Sequence, residues 1–148
     1  MKKKYLHILL IRASSFHCSR RRRQFSEIDL SEGQPKVLAN LLTMEGCIQK
    51  DLAEVCNVKS ATMTSLLQKM EREDLIYKKK EFVSGGKRAY RIFLTEKGKE
   101  KAKKANDIIE KLEEECFLGF SKEEREEFLS LFSRVTDNLV KLEKDVCD

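Results

Sequence analysis

Cysteine and histidine are the residue types with which this sequence could bind a metal ion, form disulfides or supply a nucleophile. The two histidines, His7 and His17, are ten residues apart, and no two of the five cysteines form a Cys-x-x-Cys pair. An odd number of cysteines without paired spacing argues against a disulfide framework. Neither residue type has the spacing of a zinc site. We therefore expect no metal and no cofactor. The cysteines are Cys18, Cys47, Cys56, Cys116 and Cys147.

Carboxylates form the second group that could do chemistry, as general acids or bases. They are concentrated in two runs, Glu113–Glu115 and Glu123–Glu127, with basic residues nearby. Such runs on helices are mostly solvated faces. The sequence also lacks a Gly-rich phosphate loop, a nucleophile elbow and a histidine-centred triad. We expect that this protein is not an enzyme.

A third group has the chemistry of nucleic-acid recognition and lies between Ser60 and Lys69. Apolar residues here recur at i, i+3, i+4 and i+7, from Met63 to Met70, and must face a core. Small hydrogen-bonding side chains on the remaining positions would let the helix enter the major groove, about 12 Å wide, and reach base edges and phosphates. These candidate DNA-binding residues are Ser60, Ala61, Thr62, Thr64, Ser65, Gln68 and Lys69.

A basic hairpin is predicted after this helix. Tyr77–Val83 and Ala89–Leu94 are rich in aromatic and β-branched residues and enclose two glycines, which is typical of a hairpin. Near its tip, Lys87 and Arg88 are suited to the DNA backbone or to the minor groove, whose narrow A·T tracts attract arginine. Contacts of this kind add salt-dependent affinity. The second-strand residues expected to face inward are Tyr90, Ile92 and Leu94.

Helices are predicted on both sides of these two elements. Periodic apolar residues define their faces, and capping residues define their ends. The expected features are a first helix within residues 5–28, a second opened by the capping box Ser31–Gln34, a third over Gln49–Cys56 closed by Asn57, a fourth capped by Ser60, a fifth capped by Thr95 and ended by Gly119, and a sixth opened by the capping box Ser121–Glu124.

Composition and charge agree with a helical protein that meets a polyanion. A chain of 148 residues with one proline and six glycines fits one mainly helical domain. Residues 1–104 hold 24 Lys and Arg against 12 Asp and Glu, a net of +12, whereas residues 105–148 hold 6 against 13, a net of −7. The acidic end would be repelled by phosphate. We expect the basic part to face DNA.

The first residues resemble a signal peptide without meeting its requirements. An apolar run, Tyr5–Ile11, follows three lysines but stops at Arg12, and no cleavage pattern follows it. No segment approaches the ~20 apolar residues of a membrane span. We expect a cytoplasmic protein that does not contact a membrane. The role of the arginine run Arg20, Arg21, Arg22 and Arg23 stays open between phosphate contacts and pairing with acidic helices.

From about Leu30 to Lys104 the sequence resembles the MarR family of bacterial winged-helix transcription regulators. Its strings occur in the order typical of that family, and the ordered set is more specific than any one string. The strings are Leu30-Ser31-Glu32-Gly33-Gln34, Gln49-Lys50-Asp51-Leu52-Ala53-Glu54 with Val58, Ser60-Ala61-Thr62-Met63-Thr64, Asp74-Leu75-Ile76, and Leu94-Thr95-Glu96-Lys97-Gly98.

This resemblance implies residue roles and an assembly. The fourth helix would touch bases or phosphates, and Arg88 would be the wing-tip arginine that enters the minor groove. Gly86 stands where the family usually has an aspartate, two positions before that arginine. Family members are homodimers joined through their first, fifth and sixth helices. Two-fold symmetry then predicts a pseudo-palindromic operator with half-sites about one helical turn apart.

The sequence therefore predicts a mainly α protein with a small β-hairpin. Residues 1–148 would form a single domain, with a winged helix-turn-helix lobe over 30–98 and dimerisation helices over 1–29 and 99–148. We expect a repressor of transcription that binds double-stranded DNA as a homodimer and is released by a small-molecule effector. One alternative is a redox-sensing regulator that uses Cys18, since some family members sense oxidants through a first-helix cysteine. Another is a helical protein-interaction domain without DNA binding.

Overall fold

The computed structural model describes residues 5–83 and 85–145. Helices dominate this part of the chain, and two antiparallel strands form a hairpin between the fourth and fifth helices. The elements are α1 (Leu6–Glu27), α2 (Gln34–Thr43), α3 (Gln49–Val55), α4 (Ser60–Arg72), β1 (Ile76–Val83), β2 (Lys87–Leu94), α5 (Glu96–Cys116) and α6 (Lys122–Asp145). The predicted fold class is confirmed.

The chain divides into two compact units, Met1–Lys111 and Leu112–Asp148. In the first unit, apolar side chains of α2, α3, α4 and the hairpin form one core. The predicted inner face of α4 is confirmed, because Met63, Leu67 and Met70 are fully buried and Leu66 packs against the core. Other fully buried residues of this core are Val37, Leu38, Leu41, Leu52, Cys56 and Ile92.

The starts of α2 and α4 differ from the predicted ones. Only half of the first capping box forms, since Ser31 N donates to Gln34 Oε1 at 2.9 Å while the Ser31 hydroxyl accepts from Lys69. Helix α2 begins at Gln34, after Gly33 at φ +87°. The prediction that Ser60 caps α4 is wrong. The cap position is Lys59, and Ser60 is already helical, because the extended backbone at Lys59 opens the helix without a side-chain cap.

The start of α5 explains why its first turn contains a glycine. As predicted, Thr95 caps the helix, with its Oγ1 accepting from Gly98 N at 2.9 Å. Thr95 N donates to the Leu75 carbonyl at 3.1 Å. A Cβ at Gly98 would fall inside the contact distance of that same carbonyl oxygen and lie 3.3 Å from Leu94 Cδ2. Glycine therefore lets α5 pack directly on the backbone that precedes the hairpin.

The hairpin is longer than predicted. Its strands pair from Ile76↔Leu94 to Val83↔Lys87, so Lys87 and Arg88 belong to β2 rather than to the turn. Ile92 and Leu94 are buried as expected, but the inward placement of Tyr90 is wrong. Tyr90 lies beyond the edge of the helical core, where the hairpin projects, and it is half exposed.

The second unit consists of the end of α5, a turn and α6. Here the predicted capping box forms completely, since Ser121 N donates to Glu124 Oε2 and Glu124 N donates to Ser121 Oγ. Gly119, at φ +86°, lies in the turn. Phe117 packs edge-on against Phe128, whose ring stacks on Phe132. Of the helices that the structure describes, none is long and apolar enough to cross a membrane.

Candidate nucleic-acid interface

Helices α3 and α4 form a helix-turn-helix. Between them, Asn57 adopts the left-handed conformation at φ +50°, as predicted. Val58 N donates to the Ala53 carbonyl at 2.9 Å, which closes the end of α3. Val58 packs on the core, so the turn is anchored on its inner side. This anchored turn fixes the position of α4 relative to α3.

The outer face of α4 carries the residues that the sequence singled out for DNA contact. Ser60, Ala61, Thr62, Ser65 and Gln68 are exposed, whereas Thr64 and Lys69 are half buried. The hydroxyl of Ser65 donates back to the Ala61 carbonyl at 3.2 Å. Backbone bonding of this kind keeps the side chain close to the helix. The exposed side of α4 therefore carries short polar side chains, which a helix needs in order to enter the major groove.

Thr64 has a partner that sequence reasoning missed. Gln49 Nε2 donates to Thr64 Oγ1 at 2.6 Å, and Thr64 Oγ1 donates to the Ser60 carbonyl at 3.0 Å. Gln49 is the first residue of α3, so this contact joins the two helices of the motif on their polar side. This contact could not be predicted from local sequence, because Gln49 and Thr64 are fifteen residues apart.

Lys69 belongs to a ring of polar contacts that ties α4 to the start of α2. Its ammonium donates to Ser31 Oγ at 2.8 Å and lies 3.8 Å from Glu73 Oε1. The ring is completed by Gln34, a fully buried side chain whose Nε2 donates to Glu73 Oε2 at 2.5 Å and whose Oε1 accepts from Ser31 N. We call Ser31, Gln34, Lys69 and Glu73 the α2–α4 ring.

Two basic residues of the hairpin are engaged within the protein. Lys78 Nζ lies 3.5 Å from Glu71 Oε2 of α4. Arg91 pairs with Glu81 on the opposite strand and donates to the Gly46 carbonyl at 2.9 Å. The hydrogen bond that Arg91 donates to Glu81 raises the pKa of Arg91 above its usual range. These contacts attach the hairpin to α4 and to the segment after α2, where Gly46 N also donates to the Ile92 carbonyl.

The two residues predicted at the tip of the hairpin are only partly described. The backbones of Lys87 and Arg88 pair with Val83 and Phe82. The side chains of Lys87 and Arg88 lie outside the described part of the chain, as does the whole of Ser84. Gly85 and Gly86 have φ of +89° and +74°, conformations that glycine adopts without strain.

The first unit also contains an open cavity of about 550 Å³. Basic residues of α1 and α2 line it, together with Cys18 and an apolar wall. Two members of the arginine run, Arg21 and Arg22, are among these groups, and Arg22 lies 3.7 Å from Glu32. The remaining lining residues are Phe25, Leu30, Glu32, Gly33, Pro35, Lys36, Ala39, Asn40 and Ile109.

The other described cysteines have no geometry for metal binding. Cys56 is fully buried, and burial raises the pKa of its thiol. Burial also raises the pKa of Cys47, which is half buried beside the hairpin. Cys116 is exposed at the end of α5, and Cys147 lies outside the described residues. Among the described residues, no group of three or more His, Cys, Asp or Glu could hold a metal ion.

A helix-turn-helix followed by a hairpin attached to its second helix defines a winged helix-turn-helix protein. The MarR family matches residues 30–81 of this sequence. Over 116 residues the chain is 31% identical to the HTH-type transcriptional regulator YybA of Bacillus subtilis (strain 168), which covers 78% of this chain and 76% of that protein. The chain belongs to the MarR family. It is a transcription regulator of this family and not an enzyme.

Solved structures support the fold assignment. The chain is similar to MepR of Staphylococcus aureus in a complex with DNA, with a TM-score of 0.77, 20% identity, and coverage of 94% of this chain and 99% of that one. A MarR family regulator from Listeria monocytogenes, complexed with 26mer DNA, gives a TM-score of 0.75, 23% identity, and coverage of 94% and 91%. At this identity the likeness shows a shared fold.

Proposed function

We propose that this protein is a repressor that binds a pseudo-palindromic operator as a homodimer, with α4 in the major groove and the hairpin at the neighbouring minor groove. The observation that carries the proposal is the outer face of α4, which combines exposed small polar side chains with a fixed position in a winged helix-turn-helix. The related MepR and Listeria proteins form complexes with DNA. The net charge of +12 over residues 1–104 gives this part of the chain the sign that attracts a duplex.

The assignment of base and phosphate contacts follows from this placement. Ser60, Ala61, Thr62, Ser65 and Gln68 are exposed on α4 and would meet the groove directly. Thr64 would act from the flank of the helix, where Gln49 holds its hydroxyl. For Lys69, Lys87 and Arg88, contact with phosphates or the minor groove remains a prediction.

Homodimerisation is supported by apolar surface on the terminal helices. In the first unit, the first half of α1 exposes apolar residues, including Ile11 and Phe16 at 67% and 71%. In the second unit, α6 exposes Leu131, Leu139 and Leu142. Large apolar surfaces of this kind mark sites where another chain binds. We propose that residues 1–29 and 99–148 form the dimer, whereas residues 30–98 bind DNA within a single domain of 148 residues.

An effector would bind in the cavity lined by α1 and α2. Arg21, Arg22 and Lys36 outnumber Glu32 among the charged lining residues, so the cavity has a net positive charge, and its apolar wall includes Phe25 and Pro35. A small anion with an apolar body fits both features. A ligand that binds better to one spacing of the two lobes of the dimer shifts the population toward that spacing. Such a shift would release DNA.

A location in the cytoplasm, with DNA, follows from this function.

Selection of duplexes from a random pool tests DNA recognition directly. The wild-type protein should enrich a pseudo-palindromic sequence whose half-sites are about one helical turn apart. Replacement of Gln68 or Thr64 by alanine should change the order of preference among operator variants, because base contacts carry sequence information. Thr43→Ala, at an exposed threonine of α2 outside the proposed DNA contacts and dimerisation helices, is the matched control. A pool without enrichment would contradict the proposal, and a uniform loss for all sequences would assign Gln68 to the DNA backbone instead.

The position of Cys18 favours redox sensing as a second candidate function. Cys18 lines the cavity together with Arg21 and Arg22, where an oxidant can reach it. If the thiol acts as a sensor, peroxide should release the protein from its operator, and Cys18→Ser should abolish the release. Cys116→Ser is the control for an exposed thiol elsewhere. Retained sensitivity in Cys18→Ser would exclude this mechanism.

A further inference from the structure

The hairpin has one face on which aromatic and basic residues alternate. Cross-strand partners in an antiparallel pair place their side chains on the same face, and so do alternate residues along one strand. The pairs Lys78↔Ile92 and Lys80↔Tyr90 therefore share a face, which continues along β1 to Phe82. We call its outer residues Lys80, Phe82 and Tyr90 the aromatic face of the wing.

This face is buried at its base and exposed at its end. Ile92 is fully buried in the core, and Lys78 is largely covered where it pairs with Glu71 of α4. Toward the tip, the exposed fraction rises to 51% at Tyr90 and 73% at Phe82. Phe82 exposes most of an aromatic ring although it lies within a regular strand, which costs hydration free energy unless something covers the ring.

The opposite face of the hairpin has a different character. Tyr77 stacks on Phe93 with ring centroids 5.4 Å apart, and the Lys79 ammonium lies 5.1 Å from the Phe93 centroid. On this second face the aromatic rings thus cover one another and a lysine covers both. The aromatic face of the wing has no such internal stack of Phe82 among the described residues.

The side of the hairpin on which the aromatic face lies indicates which molecule binds it. Its base contacts α4 through Lys78 and Glu71, so the face continues on the side of the hairpin that carries the recognition helix. With α4 in the major groove, the projecting end of this side meets the adjacent sugar-phosphate wall and minor groove. Lys80 gives it a charge complementary to phosphate. Proteins that bind the minor groove frequently place apolar side chains next to basic ones there.

We propose that the aromatic face of the wing binds duplex DNA, with Phe82 and Tyr90 against deoxyribose at the edge of the minor groove and Lys80 at a phosphate. Phe82 is then an apolar anchor whose contribution to affinity does not depend on salt. This inference rests on the proposed DNA binding by α4 and assigns further contacts to the same complex.

The experiment measures dissociation constants at several salt concentrations, using a 30-base-pair duplex of mixed sequence and the duplex that the wild-type protein selects from a random pool. Phe82→Ala should weaken binding to both duplexes roughly tenfold, with the slope of log K against log salt unchanged. Phe82→Leu should restore part of the affinity because it keeps apolar contact area. Lys80→Ala should lower the slope by about one.

Two controls separate this contact from other causes. Leu42→Ala removes an apolar side chain that is 37% exposed on α2, outside the proposed DNA contacts and dimerisation helices, and it should leave DNA binding unchanged. Thermal unfolding of Phe82→Ala should match that of the wild-type protein, because the ring is mostly exposed. Equal binding by Phe82→Ala and wild type overturns the inference. It is also overturned if Phe82→Ala changes only the oligomeric mass, which would place a second protein chain on this face. If the wild-type protein binds neither duplex, both the proposed DNA binding and the contact of Phe82 are rejected. If the wild-type protein and Phe82→Ala bind DNA equally well, only the contact of Phe82 is rejected.

Discussion

Replacement of Gly98 by alanine tests the packing of α5 against the backbone before the hairpin. The added Cβ would meet the Leu75 carbonyl oxygen far inside contact distance, with the Leu75 carbonyl carbon at 3.0 Å and Leu94 Cδ2 at 3.3 Å. A carbonyl that also accepts from Thr95 N at 3.1 Å cannot turn away without losing that hydrogen bond. We therefore expect α5 to shift away from the backbone of Leu75, which precedes β1.

The expected cost follows from three contributions. Overpacking of a tight contact costs about 1–3 kcal/mol, and the weakened hydrogen bond from Thr95 costs about 1 kcal/mol. Alanine in place of glycine within a helix returns about 1 kcal/mol. The free energy of unfolding of Gly98→Ala should thus be about 2 kcal/mol below that of the wild-type protein. For a chain of this length that difference lowers Tm by about 4–8 °C.

Differential scanning calorimetry at one fixed protein concentration measures this difference, since the stability of an oligomer depends on concentration. Gly119→Ala is the matched control. Gly119 has φ +86° and no heavy atom within 4 Å of the position that an added methyl group would take, so alanine there adds backbone strain of about 1 kcal/mol without a clash. A Tm for Gly98→Ala equal to that of the wild-type protein would refute the reasoning from close packing.

Three further predictions concern the ring, the wing and the thiols. Gln34→Leu should lower the free energy of unfolding by about 2 kcal/mol in urea titrations, because it leaves Ser31 N and Glu73 without their buried partner; an unchanged midpoint would show that the amide adds no net stability. Arg88→Ala should weaken DNA binding and reduce the salt slope by about one, and an identical slope would remove Arg88 from the phosphates and the groove. A thiol reagent at neutral pH should label exposed Cys116 and spare Cys56, whose burial raises its pKa; rapid labelling of native Cys56 would contradict its burial.

Local sequence signals predicted those features of the fold that depend on neighbouring residues. The apolar spacing of α4 identified its buried face, and the threonine at position 95 identified the start of α5, because both effects act within one or two turns. The start of α2 was displaced by the competing partner of Ser31. Its hydroxyl is taken by Lys69, thirty-eight residues away, and no local rule anticipates that exchange.

The candidate site was predictable to the same extent. Exposure of the α4 positions follows from helical periodicity, so Thr62, Ser65 and Gln68 lie where the sequence placed them. The contacts of Gln49 and Arg91 depend on how α3 and the segment after α2 pack in three dimensions. The inward placement predicted for Tyr90 failed because alternation gives the face of a strand but not the point at which the strand leaves the core.

The contacts of the basic residues distinguish the total charge, which sets the long-range field, from the number of basic groups that can neutralise phosphates. In the first unit, several basic side chains form a hydrogen bond or an ion pair with an oxygen atom of the protein itself. They are Lys69, Lys78, Arg91 and Lys101. Their positive charge still contributes to the long-range field that attracts a duplex, because the paired carboxylates are already included in the net of +12 over residues 1–104. The salt dependence of binding instead reports how many phosphates are neutralised by close contact. Basic side chains held by the fold contribute little to that number, so the association rate should reflect the whole charge, whereas the salt slope should reflect only the groups that reach DNA.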